Sequence, residues 1–270
     1  MVLHSDRYTE AMLADVQHAI EALPRDEPLI VLADFDGTLA EFHPNPAAPM
    51  LTEIRREWLR DIAAQGLTFA GIVSGRRVAD LRRRAPLPPH GYYAGLHGME
   101  IETDHRRWQH PDLETARAHV QELIPLLEEV LDRFPGAVLE DKRVSVAVHA
   151  RAVAYDCRTA ALALADGCAE PWLANGRLRR LEGKLVVEYL PNTACHKGDA
   201  VEWIANDVAA KTGQQGWVVF LGDDETDEDA FRAIDRGLGI LVGSRPTFAT
   251  HQLDGISDVD TLLRWLTARK

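Results

Sequence analysis

Two short acidic runs carry most of the chemistry this sequence can offer. The first is Leu29-Ile-Val-Leu-Ala-Asp34-Phe-Asp36-Gly37-Thr38, and the second is Val218-Val-Phe-Leu-Gly222-Asp223-Asp224-Glu225-Thr226-Asp227-Glu228-Asp229. Each opens on an apolar stretch that predicts a buried strand ended by a turn. Each carboxylate cluster therefore falls just past a strand's carboxyl end, the edge of an open parallel sheet where ligands bind. Crowded carboxylates repel one another. Hard oxygen donors with no Cys or His beside them select a magnesium-like cation. Asp34 and Asp36 stand where the chain turns, so one carboxylate can attack phosphorus while the other handles a leaving group's proton. Taken alone, Asp34-x-Asp36-Gly37-Thr38 also fits an acidic turn or helix cap. An EF-hand does not fit, because the remaining ligands and terminal Glu are missing at the loop spacing.

Two weaker elements lie between these runs. Ser74-Gly75-Arg76 follows the apolar stretch Thr68–Val73 and supplies a hydroxyl, a small residue and the start of a helix, all parts of a phosphate site. A plain N-cap would look the same. Lys197-Gly198 adds positive charge, as would any exposed lysine before a helix. The second acidic run also suits a solvated helix start, where the dipole favours acids. That covers Glu225, Glu228 and Asp229 better than Asp223, which directly follows a buried strand and a glycine.

The elements that must position these residues alternate. A helix is predicted from Ser5 to Leu23, with Met12, Val16, Ile20 and Leu23 on one face and Ser5 or Asp6 as its cap. Then come strand Leu29–Ala33, helix Thr52–Gln65, strand Thr68–Val73, helix Val78–Arg84 and strand Tyr92–Ala94. The alternation resumes with helix Gly198–Thr212, strand Trp217–Leu221, helix Glu228–Ile234 and strand Leu238–Val242. Such alternation predicts an α/β fold with a Rossmann-like parallel sheet. Between the two halves the pattern changes. A long helix, Pro111–Phe134, precedes strands Ala137–Glu140 and Arg143–Ala150 around an Asp141-Lys142 turn. A helix over Tyr155–Ala169 precedes strands Arg177–Leu181 and Leu185–Tyr189 around Glu182-Gly183. Strands joined by short turns are antiparallel, so an α+β unit over 103–189 is expected to interrupt a core of 1–102 and 190–270.

Composition narrows the field. The 270 residues carry a net charge of −12 at pH 7, which argues against a nucleic-acid partner. No apolar stretch approaches the roughly 20 residues of a membrane span. The start, Met1-Val-Leu-His-Ser-Asp, lacks the basic and apolar regions of a signal peptide. The three cysteines, Cys157, Cys168 and Cys195, form no metal-ligand pattern. A reduced, cytoplasmic protein without a membrane partner is expected.

The order of the four elements is more specific than any one of them. A strand ending in Asp34-x-Asp36-Gly37-Thr38, then Ser74-Gly75-Arg76, Lys197-Gly198 and Gly222-Asp223-Asp224-x-Thr226-Asp227 resembles the haloacid dehalogenase superfamily of phosphatases. Within it, four segments, one of them already named, resemble the trehalose-6-phosphate phosphatase family. These are Gly95-Leu-His97-Gly98-Met99-Glu100, Leu139-Glu140-Asp141-Lys142 with Ser145 to Arg151, Gly183-Lys184 through Glu188 to Pro191, and the second acidic run. The match spans roughly Leu29 to Pro246.

The resemblance implies a role for each matched residue. Asp34 would be the nucleophile, Asp36 the general acid and then base, and Lys197 a catalytic contact to the phosphoryl oxygens. Mg2+ would be held by Asp34, Asp36 through its main-chain carbonyl, and Asp223, with Asp227 completing or orienting the shell and Asp224 a lesser candidate. Thr38, Ser74 and Gly75 would serve the phosphate, and Arg76 would either support that loop or touch substrate. His97, Gly98, Glu140, Lys142 and Glu188 would contact substrate, the last three reading the sugar from an inserted cap. His149 and Arg151 are lesser candidates. The implied partner is a small phosphorylated disaccharide, and the implied state a monomer. Rival readings are a phosphatase of another sugar phosphate such as sucrose-phosphate or mannosyl-glycerate phosphate, a phosphomutase, and a non-catalytic phosphosugar-binding domain.

Overall fold

A computed structural model describes residues 2–43, 45, 47–193 and 195–269, with side chains from residue 9 onward in the first helix. The chain divides into two compact units. The first comprises Met1–His43, Ala47–Trp108 and Cys195–Lys270, and the second comprises Pro44–Pro46 with Gln109–Ala194.

The first unit begins with α1 (Val2–Glu21), β1 (Leu29–Ala33), α2 (Glu53–Ala63), β2 (Thr68–Val73), α3 (Val78–Arg84), β3 (Tyr92–Gly95), β4 (Glu100–Glu102) and β5 (Arg107–Gln109), whose last residue already belongs to the second unit. The second unit holds α4 (Leu113–Leu131), β6 (Val138–Asp141), β7 (Val146–His149), α5 (Arg158–Ala174), β8 (Leu178–Gly183) and β9 (Val186–Pro191). The first unit then resumes with α6 (Lys197–Thr212), β10 (Trp217–Gly222), α7 (Asp227–Arg232), β11 (Gly237–Val242), β12 (His251–Leu253) and α8 (Ile256–Thr267).

The large sheet runs β12-β11-β10-β1-β2-β3-β4-β5 and is parallel from β12 to β3, with β4 antiparallel to β3. Strand β1 is central. Val31 and Ala33 pack with α1, α2, α3 and α8, whereas Ile30 and Leu32 pack with α6 and α7. Burial on both faces is why β1 reads as an unbroken apolar run and not as an alternation. Arg55 of α2 ties the layer to the chain after β1. Its fork meets Asp260 of α8 at 2.5 and 2.8 Å, and its remaining nitrogen donates to the Leu39 carbonyl at 3.0 Å.

The second unit is an antiparallel sheet, β6-β7-β9-β8, with α4 and α5 packed on one face through Val146, Val148, Val187 and Tyr189. Glu140, Ala147 and Glu188 are aligned across three strands. They alternate with those core residues and so occupy the opposite face.

Several local expectations need correction. Helix α1 begins at Val2, so neither Ser5 nor Asp6 is its cap. The first hairpin turns at Lys142–Ser145, where Lys142 N donates to the Ser145 carbonyl at 3.0 Å and Arg143 takes a positive φ of 81°. The second turns at Lys184-Leu185, with Gly183 still paired to Val186. Cys157 precedes α5 in a short 3-10 turn, and all three cysteines are free. No helix among the described residues is long and apolar enough to cross a membrane.

Candidate active site

The parallel register brings the ends of β1 and β10 side by side, with Ala33 opposite Leu221 and Asp34 N donating to the Leu221 carbonyl at 2.8 Å. The two acidic runs therefore emerge together. Oxygens of Asp34, Asp223 and Asp227 lie within 4.8 Å of one another. Lys197, at the start of α6, enters this group with its Nζ 2.9 Å from Asp34 Oδ1 and 2.7 Å from Asp227 Oδ1. All three of these residues are at most 3% exposed.

Asp227 is a brace as well as a neighbour. One of its oxygens takes the lysine, while the other accepts the main-chain N–H groups of Asp223 and Asp224 at 2.9 and 3.0 Å. The Asp224 carboxylate caps the next turn through Thr226 N and Oγ1, at 2.8 and 2.6 Å. Thr38 Oγ1 donates to Asp223 Oδ1 at 2.9 Å, which orients that carboxylate from the β1 side. Between them lies Gly37. Its φ is +89°, and an added Cβ would fall 2.2 Å from Asp223 Oδ2. A Gly37→Ala variant is expected to lose about 1–3 kcal/mol of stability from the backbone strain alone, checked by denaturant titration.

Electrostatics follow from this crowding. Burial pushes the Asp34 carboxyl up to about 6, against the pull of Lys197 and with the help of Asp224 and Asp36. Burial, then Asp34, Asp224 and Asp227, push Asp223 up to about 9, with Thr38 opposing. Lys197 behaves oppositely. Burial would lower its pKa, but Asp227, Asp34 and Asp224 outweigh it and hold the ammonium charged. One ammonium against four nearby carboxylates leaves a negative cluster. Its donors are all hard oxygens, which suits a magnesium-like cation.

Arg76 and Asp36 form a bidentate pair at 2.6 and 2.7 Å, and Arg76 also reaches Asp80 at 3.2 Å. Ser74 is buried, and its Oγ accepts Arg76 N at 3.3 Å. The segment after β3 is stitched to this loop by His97 N to the Ser74 carbonyl and Leu96 N to the Arg76 carbonyl. A Cβ on Gly75 would lie 2.6 Å from His97 Nε2, so any larger residue would displace that ring. Gly98 needs its positive φ of 106° and faces the His196 carbonyl.

Glu140, Lys142 and Glu188 lie in the second unit. Lys142 Nζ is 2.7 Å from Glu188 Oε2, Ser145 Oγ donates to Glu188 Oε1 at 2.6 Å, and Glu140 meets His149 Nε2 at 3.0 Å.

Sequence reasoning passed over Arg245. Its Nε donates to the Asp223 carbonyl at 3.0 Å, Nη2 donates to the Asp224 carbonyl, and Nη1 lies 2.5 Å from Glu228. Glu228 in turn accepts Thr247 Oγ1 and Phe248 N at 2.8 and 2.7 Å. One arginine in a Gly-Ser-Arg-Pro turn carries no local signal, because only the fold brings it under the acidic loop. Arg245→Met is expected to weaken divalent-cation binding roughly tenfold, since charged hydrogen bonds of about 1.5–3 kcal/mol are lost from the loop. Calorimetric titration checks this.

A family model described as trehalose-phosphatase matches residues 32–255. An uncharacterised glycosyl hydrolase of Mycobacterium tuberculosis is 36% identical over 233 residues, 83% of this chain and 17% of its own length. A trehalose-phosphate phosphatase of the same organism is 33% identical over 262 residues, 93% of this chain and 65% of its own length. This chain thus spans less than two thirds of either relative. Among solved structures, the C-terminal domain of a Candida albicans trehalose-6-phosphate phosphatase aligns with a TM-score of 0.76 over 96% of both chains, at 19% identity. That likeness bears on the fold.

Proposed function

The chain belongs to the trehalose-phosphatase family, and from that premise we propose that it is a magnesium-dependent phosphatase that hydrolyses trehalose 6-phosphate to trehalose and phosphate. The observation that carries this reading is Lys197 wedged between Asp34 and Asp227 beside Asp223, at the carboxyl edge of β1 and β10.

In the proposed first step, an Asp34 carboxylate oxygen attacks phosphorus and the bond to the sugar oxygen breaks. Asp36 gives that oxygen its proton. In the second step, Asp36 takes a proton from water, which attacks the aspartyl-phosphate and returns Asp34 with release of phosphate. Splitting the reaction this way replaces one difficult displacement with two easier ones. Both oxygens of Asp36 are engaged by Arg76, so the carboxyl must leave that fork to act. Lys197 and Ser74 would hold phosphoryl oxygens, with Thr38 and Gly75 supporting the loops that present them. Mg2+ held by Asp34, Asp223 and the Asp36 carbonyl, in a shell completed or oriented by Asp227, would neutralise charge on those oxygens.

Glu140, Lys142 and Glu188 would read the disaccharide. Glu140→Ala or Glu188→Ala should lower kcat/KM for trehalose 6-phosphate roughly ten- to a hundredfold, the value of one charged hydrogen bond. Hydrolysis of p-nitrophenyl phosphate should barely change. Equal losses on both substrates would assign these residues to the support of their own sheet.

The direct test is a phosphate-release panel with magnesium. Trehalose 6-phosphate should be turned over with a much higher kcat/KM than sucrose-phosphate or mannosyl-glycerate phosphate. A preference for either of the others, transfer of the phosphoryl group to sugar, or no release at all would overturn the proposal.

A further inference from the structure

The loop before β3 and the turn between β4 and β5 bring His90, Asp104 and His105 together, and we infer that they form a binding site for a zinc-class divalent cation. The site is distinct from the acidic one. Tyr93, the second residue of β3, pairs with Glu102 at the end of β4, so the cluster stands at the amino edge of the parallel strands. Asp34 and Asp223 follow their carboxyl ends.

The geometry comes from two well-defined turns. Thr103 N donates to the Arg106 carbonyl at 2.8 Å, and Thr103 Oγ1 accepts His105 N and Arg106 N at 3.2 and 3.0 Å. This fixes Asp104 and His105 at the tip of a tight turn. Opposite them, His90 takes a left-handed φ of 69°, unusual for a residue with a Cβ, and its N–H donates to Asp104 Oδ2 at 2.7 Å. The carboxylate is thereby anchored before any ion arrives.

The three donor atoms are near binding distance. His90 Nδ1 is 2.9 Å and His105 Nε2 is 3.9 Å from Asp104 Oδ2, and all three atoms lie within 4.8 Å of one another. Zinc bonds of about 2.0–2.1 Å in a tetrahedral shell require donors separated by about 3.3 Å. Small ring rotations supply the difference, and both imidazoles are free to make them at 67% and 72% exposure. The adjacent cations are committed elsewhere, Arg106 to Asp207 at 3.2 Å and Arg107 to Glu102.

Chemistry separates the two sites. Two imidazoles and one carboxylate favour Zn2+, Co2+, Ni2+ or Cu2+ over Mg2+, whereas the all-carboxylate cluster suits Mg2+. An ion held here would clamp the segment before β3 to the β4–β5 turn, with water completing its shell. His90, Asp104 and His105 are apart from the catalytic residues, and binding alone reads them out.

The experiment titrates Co2+ into the full chain in millimolar magnesium, following the visible absorption of the bound ion, then displaces it with Zn2+. One equivalent with imidazole-type bands is expected. His90→Ala and His105→Gln should each weaken it at least about tenfold, and the double variant should lose it. Circular dichroism verifies that each variant is folded. No such equivalent in the parent chain, or equal binding by the double variant, overturns the inference. In that case His90 and Asp104 are a surface hydrogen-bonded pair only.

Discussion

Asp34→Asn will fold normally and turn over trehalose 6-phosphate slower by on the order of 10⁴ or more, as expected when a covalent nucleophile is removed. The substitution keeps the size of a buried side chain and removes its negative charge. Asp34 is 3% exposed, and burial raises its carboxyl to about 6, so losing the charge does not expose an unmet need of the fold. What disappears is the proposed oxygen nucleophile, for which an amide is no substitute. Lys197 retains Asp227 as a partner. Unfolding by denaturant should therefore give a midpoint near that of the parent chain, while phosphate release falls to background. Appreciable turnover by a cleanly purified variant would remove Asp34 from the reaction.

Chelation will abolish turnover and magnesium will restore it, with calcium a poor substitute because its longer, looser coordination misplaces the phosphate relative to Asp34. Full activity in excess chelator would refute the requirement. A pH dependence accompanies this result. In the ion-free protein the Asp34 and Asp223 carboxyls are raised to about 6 and about 9. Folded-state values above the unfolded 3.8 favour the folded form while these groups are protonated. That advantage is full below pH 4 and is lost as pH climbs through 6 and then 9. A bound cation offsets both causes of the loss, the burial of these charges and then their mutual repulsion. The gain in melting temperature on adding magnesium should therefore grow between pH 6 and 9, whereas a constant gain would show that protons do not compete with the ion for the carboxyls.

Much of the site was legible in the sequence because its elements are locally coded. Strands β1 and β2 are apolar on both faces, and α3 runs from Val78 to Arg84 with Pro86 just beyond it, so their bounds follow from side-chain pattern alone. The elements left out are of two kinds. Strands β4, β5 and β12 have three residues each, too few for any periodicity, and exist because a neighbouring strand offers its edge. Helix α8 did carry a signal. Val259, Leu262, Leu263 and Leu266 lie on one buried face behind Gly255, but they follow the last chemical motif. The hairpin turns were displaced because Glu182-Gly183 looks like a turn, while Arg143 and Leu185 adopt positive φ without being glycine. Arg245 and the Arg76–Asp36 fork are tertiary facts. No spacing in one dimension announces which carboxylate an arginine will meet.

The central place of β1 has a consequence for how the molecule is made. Its partners are β2, close behind it, and β10, which follows the whole second unit. During synthesis the most apolar strand of the sheet therefore waits with one edge open while α4 to β9 emerge. Open edges on apolar strands invite pairing with other chains, and contacts this distant in sequence form slowly. Lys197, Asp223 and Asp227 arrive with that same late segment, so the chemical centre and the closure of the sheet are completed in one event. Pulse-labelled hydrogen exchange would record it as late protection shared by β1 and β10, after the second unit has already acquired its own.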